Sequence, residues 1–233
     1  MTSKEIKHIH YKYPTPVAEF ENKATYEIIF KAVRTYLPSG SVLDMCCGRG
    51  ELMKLFSEKG YKVYGCDMDA ECIKMRGAYG QVKKLTAEEF SLDIFDARFD
   101  CIILSHVLEH IENPRQFIVR LTSSYKGLIV ISIPNPYYSL PFLKALLGMK
   151  INYVNKGHLY SWDWFHFKTF IEIGCNLEIL NFYFDSVALP FQKESRSLLY
   201  RMGLLYSIEN RLLRMLLPRF CRSITAVIRT KEQ

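Results

Sequence analysis

The sequence has no C-x-x-C pair, no apolar run long enough to span a bilayer and no apolar segment near its N-terminus. Its seven cysteines are an odd number and several lie inside apolar runs, which argues against a disulfide framework or a zinc site. We therefore expect reduced, buried thiols and no metal. A membrane helix needs about 18 apolar residues in a row, and a signal peptide needs an apolar core. Because the chain shows neither pattern, we expect a cytoplasmic protein.

The charge is unevenly distributed along the 233 residues. The chain has 31 Lys and Arg against 24 Asp and Glu, which gives a net charge of +7. Residues 1–189 hold 22 basic and 21 acidic side chains, whereas residues 190–233 hold 9 and 3. With 49% apolar residues, the composition excludes an intrinsically disordered chain. A basic excess favours an anionic partner, and the split assigns that excess to the C-terminal segment.

Short apolar runs alternate with segments of helical spacing, which is typical of a parallel β-sheet wrapped by helices. We predict an α/β fold of seven strands with helices on both faces, an N-terminal helix at about 20–36 and a helical insertion before the last strand. Asn113 with Pro114 and Ser161 are the predicted helix starts. The predicted strands are 41–46, 61–67, 81–85, 100–105, 127–133, 177–185 and 223–230, and the helices between them are 51–59, 70–78, 113–124 and 162–173.

The most informative stretch joins the first predicted strand to its helix. It reads Asp44-Met-Cys46-Cys47-Gly48-Arg49-Gly50, so an acid near the strand end is followed by a glycine turn and a helix. The glycines let the backbone approach a ligand closely, and the helix N-terminus presents free N–H groups. Asp67 ends the second strand about 20 residues later, where nucleotide-binding folds place a carboxylate for two ribose hydroxyls.

Two interpretations of this loop compete. A dinucleotide-binding loop has the pattern G-x-G-x-x-G, but here the third glycine is missing and Asp44 would repel a pyrophosphate. The loop suits a ligand that carries an ammonium group and a cationic sulfur, such as S-adenosylmethionine. The same two features disfavour a nicotinamide-dependent dehydrogenase.

The ordered motifs resemble those of class I S-adenosylmethionine-dependent methyltransferases. The resemblance is carried by the loop 44–50, by Asp67 and by the block F-D-x-I-x-x-x-x-V-L-E-H-I at 99–111. The sequence is similar to ubiquinone-biosynthesis-type O-methyltransferases, to sugar and polyketide methyltransferases and to methionine-biosynthesis accessory proteins of the same fold. This resemblance covers residues 37–133 well and residues 157–184 loosely. The resemblance implies a seven-stranded Rossmann-like methyltransferase sheet and S-adenosylmethionine as the cofactor.

The resemblance also implies roles for individual residues. Asp44, Cys46, Gly48 and Gly50 would surround the methionine moiety, although Cys46 stands where the family usually has glycine. The remaining cofactor contacts that it implies are Asp67 for the ribose, Met68 against the adenine, Ala87 and Glu88 for the adenine amino group, and Ser105 and His106 for the amine and the methyl group. Thr86 departs from the usual Asp-Ala-Glu pattern.

Two histidines are candidates for the base that removes a proton from the methyl acceptor. His106 follows the fourth strand directly, and His158 lies in the segment after the fifth strand. For each of them the alternative is a packing or hydrogen-bonding role, which is also the interpretation of His110, predicted on the helix after strand four. An acceptor with an acidic proton needs no base at all.

The leading hypothesis is a methyltransferase acting at oxygen on a small-molecule or a lipid- or sugar-linked acceptor. The alternative is an accessory protein of this fold that acts through a partner enzyme and transfers no methyl group. We expect a single domain, with an N-terminal lid or helix at 1–37, a lid over the acceptor side at 134–160 and a basic helical insertion at 190–222. The oligomeric state is left open.

The segment 196–222 places arginines among leucines. This composition suits a peripheral helix at an anionic membrane surface, and the alternative is a helix that packs its leucines on the sheet. The lack of stacking aromatics between the arginines argues against a nucleic-acid partner. Asn135-Pro136-Tyr137-Tyr138 is interpreted as a turn, and the aromatic residues that follow it line an acceptor pocket or cover the sheet edge.

Overall fold

A computed structural model of the protein describes residues 16–69, 79–87, 89–138, 146–148, 157–187 and 207–230. The predicted helix at 70–78, the first 15 residues and much of the segments 134–160 and 190–222 lie outside these residues. Within the described part of the chain, no helix has both the length and the apolar composition needed to cross a membrane.

The described residues form a seven-stranded sheet with helices between the strands, as predicted. The strands are β1 (Ser41–Met45), β2 (Lys62–Asp67), β3 (Gln81–Lys84), β4 (Cys101–Ser105), β5 (Leu128–Pro134), β6 (Ile179–Phe184) and β7 (Ser223–Arg229). The helices are α1 (Pro16–Tyr36), α2 (Glu51–Glu58), α3 (Pro114–Ser124) and α4 (Trp164–Thr169), which continues as a π-helical turn over Phe170–Gly174. A second π-helical turn, Ile208–Leu213, runs into one α-helical turn, Arg214–Leu216.

The strand order across the sheet is β3-β2-β1-β4-β5-β7-β6. β1 lies between β2 and β4 and pairs in parallel with both. The chain therefore adds β2 and β3 on one side of β1 and then crosses to add β4 on the other side, so the strand order reverses at β1. Not all of the sheet is parallel, because β7 runs antiparallel to both β5 and β6. As a result β7 begins, at Ser223, at the same edge where β5 ends, at Pro134.

Alternate residues of the central strands build two cores, one on each face of the sheet. On one face Leu43 and Ile102 pack with α3 and α4, and on the other Val42 and Cys101 pack with α1 and α2. Strands buried on both faces are apolar at nearly every position, which explains the long apolar runs in the sequence. Burial against both layers confirms the prediction of helices on both faces.

The predicted helix starts are correct for α3 and wrong for α4. Asn113 caps α3 because its Oδ1 accepts a hydrogen bond from the backbone N–H of Gln116 at 3.0 Å. The cap of α4 is Asp163 and not Ser161, since the Asp163 carboxylate accepts from the N–H groups of Phe165 and His166. A carboxylate at this position also interacts favourably with the positive end of the helix dipole.

Candidate functional site

The carboxyl ends of β1, β2 and β4 meet at one edge of the sheet. Met45 pairs with Cys66 on one side and with Leu104 on the other, so Cys46, Asp67 and Ser105 emerge there on neighbouring strands. In open α/β sheets ligands bind at this edge, where the strand order reverses. The predicted site residues of the first, second and fourth strands are therefore brought to one edge.

The loop after β1 folds tightly because three of its residues have positive φ. Cys46 has φ 56°, Gly48 has φ 48° and Gly50, which precedes α2, has φ 76°. A side chain on Gly48 would meet nothing within 4 Å, so its backbone borders open space. The Cys47 N–H donates to the Cys66 carbonyl at 3.0 Å, which ties the loop to the end of β2.

Asp67 holds the loop from the other side. Its Oδ2 accepts a hydrogen bond from the Gly48 N–H at 2.7 Å, and its Oδ1 accepts from the Asp69 N–H at 3.0 Å. Burial is the main cause of a raised pKa for the thiol of the half-buried Cys46. The nearby Cys66 and the buried carboxylates of Asp67 and Asp44 raise this pKa further. This side of the site is therefore electronegative, which favours a cationic ligand.

The predicted adenine contacts lie at the ends of β2 and β3. Met68 is 45% exposed beside the buried Asp67, so its side chain is free to cover a planar ring. Ala87 is buried, and its carbonyl accepts from the Arg120 guanidinium at 3.3 Å. Glu88 lies outside the described residues.

His106 follows β4 in a left-handed backbone conformation, with φ 56°. Its N–H donates to the Ser132 carbonyl at 2.9 Å, and its Nε2 lies 3.1 Å from the Ser223 Oγ at the start of β7. Its Nδ1 lies 3.9 Å from the Glu109 Oε1. Burial, with His158 and His110 nearby, lowers the pKa of His106 to about 4, so the imidazole is neutral at pH 7.

Glu109 is the site residue that the sequence reasoning missed. Its side chain is buried, neither of its carboxylate oxygens has a hydrogen-bond partner among the described residues, and burial raises its pKa to about 8. The only signal for it in the sequence was its place in the V-L-E-H-I block, beside His110. His110 lies in a short 3₁₀ turn, Leu108–His110, and not in the following helix as predicted.

His158 reaches this group because its segment is bound to the turn that carries Glu109. The N–H groups of Leu159 and Tyr160 both donate to the Glu109 carbonyl, at 2.7 and 3.3 Å. The His158 ring lies edge-on against that of His110, with centroids 4.8 Å apart. Burial and His110 lower the pKa of His158. The two predicted catalytic histidines thus belong to one cluster, consisting of His106, Glu109, His110 and His158.

Asn135 has a structural role, which agrees with the interpretation of its motif as a turn. Its Nδ2 donates to the carbonyls of Arg219 and Cys221, and its Oδ1 accepts from the Tyr137 N–H. The amide is thereby occupied on both sides. The side chain is 2% exposed and joins the end of β5 to the start of β7.

Among the aromatic residues after this turn, Trp164 covers the sheet edge. The Trp164 ring packs edge-on against Phe182 of β6, and Trp162 stacks on Tyr160 with centroids 5.3 Å apart. Two further aromatic residues of this set, Phe142 and Tyr153, lie outside the described residues.

Most leucines in the described part of the basic segment do not pack on the sheet. Its apolar side chains are largely exposed: Leu212 49%, Met215 72%, Leu216 60% and Leu217 45%. Only Leu213 of this run packs against the core. The packing alternative for the segment is therefore wrong over these residues.

Comparison with known proteins agrees with this geometry. A sequence family described as a methyltransferase domain matches residues 20–172. The mitochondrial ubiquinone biosynthesis O-methyltransferase of Dictyostelium discoideum is 32% identical over 126 residues, which cover 46% of this chain and 39% of that protein. The chain spans about half, or less, of the length of the curated relatives it matches.

Solved structures share the fold. A SAM-dependent methyltransferase from Archaeoglobus fulgidus superposes with a TM-score of 0.56 at 21% identity, covering 91% of this chain and 98% of that one. The magnesium protoporphyrin IX methyltransferase of Synechocystis, with bound SAH, superposes with a TM-score of 0.56 at 17% identity, covering 98% and 92%.

Proposed function

Because the chain belongs to the methyltransferase-domain family, we propose that it transfers the methyl group of S-adenosylmethionine to an oxygen atom of a small-molecule acceptor. The observation that carries this proposal is the loop after β1, whose Gly48 N–H is bound to the Asp67 carboxylate at the edge where the strand order reverses. A turn of this shape leaves open space above its backbone and a carboxylate beside it.

The cofactor would lie across the ends of β1, β2 and β3. Its ammonium group and sulfonium would face the electronegative side formed by Asp44 and the loop 46–50, and its ribose hydroxyls would donate to Asp67. Met68, Ala87 and Glu88 would border the adenine. Ser105 and His106 would lie at the methyl end, because they end the strand next to β1.

Methyl transfer needs little from the protein beyond orientation and the removal of a proton. The acceptor oxygen attacks the methyl carbon in line, the carbon–sulfur bond breaks, and its electron pair returns to sulfur to give a neutral thioether. His106 is positioned to take the acceptor's proton, since it follows β4 at the methyl end and its ring is held by Ser223. His158 lies in the same cluster and faces the acceptor side.

Two observations support oxygen as the acceptor atom. Several relatives are described as ubiquinone biosynthesis O-methyltransferases. The cluster around His106 offers a neutral imidazole, which can accept a hydrogen bond from a hydroxyl group of the acceptor and so orient it. The acceptor's lipid or sugar portion, where it has one, would contact the segment before β7.

The test has two stages on the full chain. Calorimetry with S-adenosylhomocysteine should show one site per chain, and absence of binding would refute the proposal. Incubation with S-adenosylmethionine and a panel of phenols, hydroxy acids and polyprenylated phenols should then yield S-adenosylhomocysteine. The accessory alternative would be favoured if the chain binds S-adenosylhomocysteine and copurifies with a stoichiometric partner but shows no turnover across the panel.

A matched pair of variants tests the role of His106. His106→Gln should lower turnover at least tenfold while S-adenosylhomocysteine binding changes less than threefold. His166→Gln is the control, because His166 is exposed on α4 and its Nδ1 bonds to Asp163. Equal turnover of the two variants would remove His106 from the mechanism.

A further inference from the structure

A buried carboxylate without a partner is the starting point of the inference. The Glu109 side chain is 1% exposed, and within the described part of the chain both of its oxygens lack a hydrogen-bond partner. Burying a polar group without a hydrogen bond costs several kcal/mol in order of magnitude, and an unpaired charge costs more. Buried carboxylates in native proteins are therefore paired or bind a metal. The groups that face Glu109 are imidazoles, as shown by His106 and His110.

His110 is held as a metal-binding histidine is held. Its Nδ1 lies 2.9 Å from the Gly157 carbonyl oxygen. Because a carbonyl can only accept, Nδ1 carries the proton and the lone pair stays on Nε2. That Nε2 lies 4.0 Å from the Glu109 Oε1. In metal sites the second ring nitrogen usually donates to a carbonyl or carboxylate, which fixes the tautomer and the ring orientation.

His158 completes the group from another part of the chain. One ligand atom each from Glu109, His110 and His158 lies within 4.8 Å of the others. In a tetrahedral site two ligands at about 2.1 Å from one metal ion lie about 3.4 Å apart. The longest separation in the cluster must therefore shorten by about 1.4 Å, which is within the reach of side-chain rotation. The segment of His158 is already bound to the Glu109 carbonyl through the N–H groups of Leu159 and Tyr160.

We propose that Glu109, His110 and His158 bind a divalent first-row transition metal ion. Imidazole with one carboxylate suits Zn²⁺, Fe²⁺, Co²⁺ or Ni²⁺ better than Mg²⁺, which prefers oxygen ligands. His106 lies beside this group, with its Nδ1 3.9 Å from the Glu109 Oε1, but it is not one of the proposed ligands and stays available as the base. The expectation of no metal rested on cysteine spacing, and this site contains no cysteine.

The proposal goes beyond methyl transfer, because metal binding is measured without turnover. The ion would lie on the acceptor side, between the end of β4 and the segment of His158. The ion would place a positive charge on the acceptor side, whereas the cofactor side, at the loop after β1, is electronegative. An acceptor oxygen bound to such an ion would lose its proton more easily.

The experiment is a titration of the chelator-treated full chain with Co²⁺, followed by optical absorption, and with Zn²⁺, followed by calorimetry. We expect one ion per chain. Glu109→Gln should weaken binding more than tenfold, and so should His158→Gln, a half-buried position at which the fold tolerates the change. His166→Gln removes an exposed histidine that is also bonded to a carboxylate, and it should bind the ion as the native chain does.

Three results would overturn the proposal. These are no binding of either ion by the folded native chain, equal binding by His158→Gln and the native chain, and a sulfur-to-cobalt charge-transfer band that assigns the ion to cysteine. Circular dichroism shows that each variant is folded. S-adenosylhomocysteine binding is measured on the same samples, so that its loss identifies a failure of the proposed function and not of the metal site.

Discussion

Removal of the Asp67 carboxylate is the sharpest test of the cofactor site. This carboxylate accepts hydrogen bonds from two backbone N–H groups, those of Gly48 at 2.7 Å and Asp69 at 3.0 Å. When the cofactor is bound, the same oxygens are expected to accept from both ribose hydroxyls as well. Asp67→Ala therefore deletes two ligand contacts and loosens the loop that shapes the site.

The size of the effect follows from the hydrogen bonds. A hydrogen bond to a charged group contributes about 1.5–3 kcal/mol, so two ribose contacts amount to at least about 3 kcal/mol. Since about 1.4 kcal/mol corresponds to a tenfold change in Kd, we expect the Kd for S-adenosylhomocysteine to rise about 100-fold in Asp67→Ala. Asp67→Asn keeps one acceptor oxygen but loses the charge, so its Kd should rise only about tenfold.

Calorimetry with S-adenosylhomocysteine at fixed ionic strength measures the three Kd values. Asp93→Asn is the control, because it removes one negative charge from an exposed carboxylate. The pKa of Asp93 is lowered by the hydrogen bond that its carboxylate accepts from the Ser91 hydroxyl group. The Kd of Asp93→Asn should stay within twofold of the native value. If folded Asp67→Ala binds within threefold of the native chain, Asp67 does not contact the ribose and the assignment of the site is refuted.

Three further outcomes are expected. Gly65→Ala should destabilise the protein by about 1–3 kcal/mol in urea unfolding, because the added methyl would lie 2.6 Å from a buried methionine sulfur; Gly174→Ala, whose nearest neighbour is 3.7 Å away, should not, and equal losses would contradict this packing. Cys46 should react slowly with iodoacetamide at neutral pH and faster as pH rises, because its raised pKa keeps it a thiol; bound S-adenosylhomocysteine should slow it further, and mass spectrometry that finds Cys46 as reactive as free cysteine would refute this. The native chain should sediment with anionic vesicles at low salt, and replacing the exposed Leu216 and Leu217 by Gln should abolish this; no sedimentation of the native chain would end the membrane hypothesis.

The cofactor half of the site was predictable because its signals are local. A strand buried on both faces is apolar at nearly every position, and a turn with positive φ favours glycine, so the loop at Gly48 and Gly50 is visible in the sequence. Asp67 is found by its distance from that turn. The family, the sheet and its two helical layers, all inferred from these features, are confirmed.

The acceptor half was not predictable because it is built by contacts between distant segments. The role proposed for Glu109 depends on its burial, and the segment of His158, about fifty residues later in the chain, is hydrogen-bonded to the Glu109 carbonyl. The direction of β7 has no local signal either, because an apolar run looks the same in a parallel and an antiparallel strand. For α4, both Ser161 and Asp163 can cap a helix, and the tertiary structure selects the second, which sets the register that buries Phe167.

The antiparallel β7 changes what the basic charge implies. β6 ends with Phe184 and β7 begins with Ser223 at the carboxyl edge of the sheet, so the chain between them leaves and returns at the edge that holds the site. Residues 190–233 carry 9 of the 31 basic side chains but only 3 of the 24 acidic ones. The cofactor is cationic, and we propose that it lies on the electronegative side, so its binding does not require this positive charge. An acceptor that is anionic, or that is presented by an anionic surface, would meet the basic segment and the histidine cluster together, and the vesicle experiment separates these two cases.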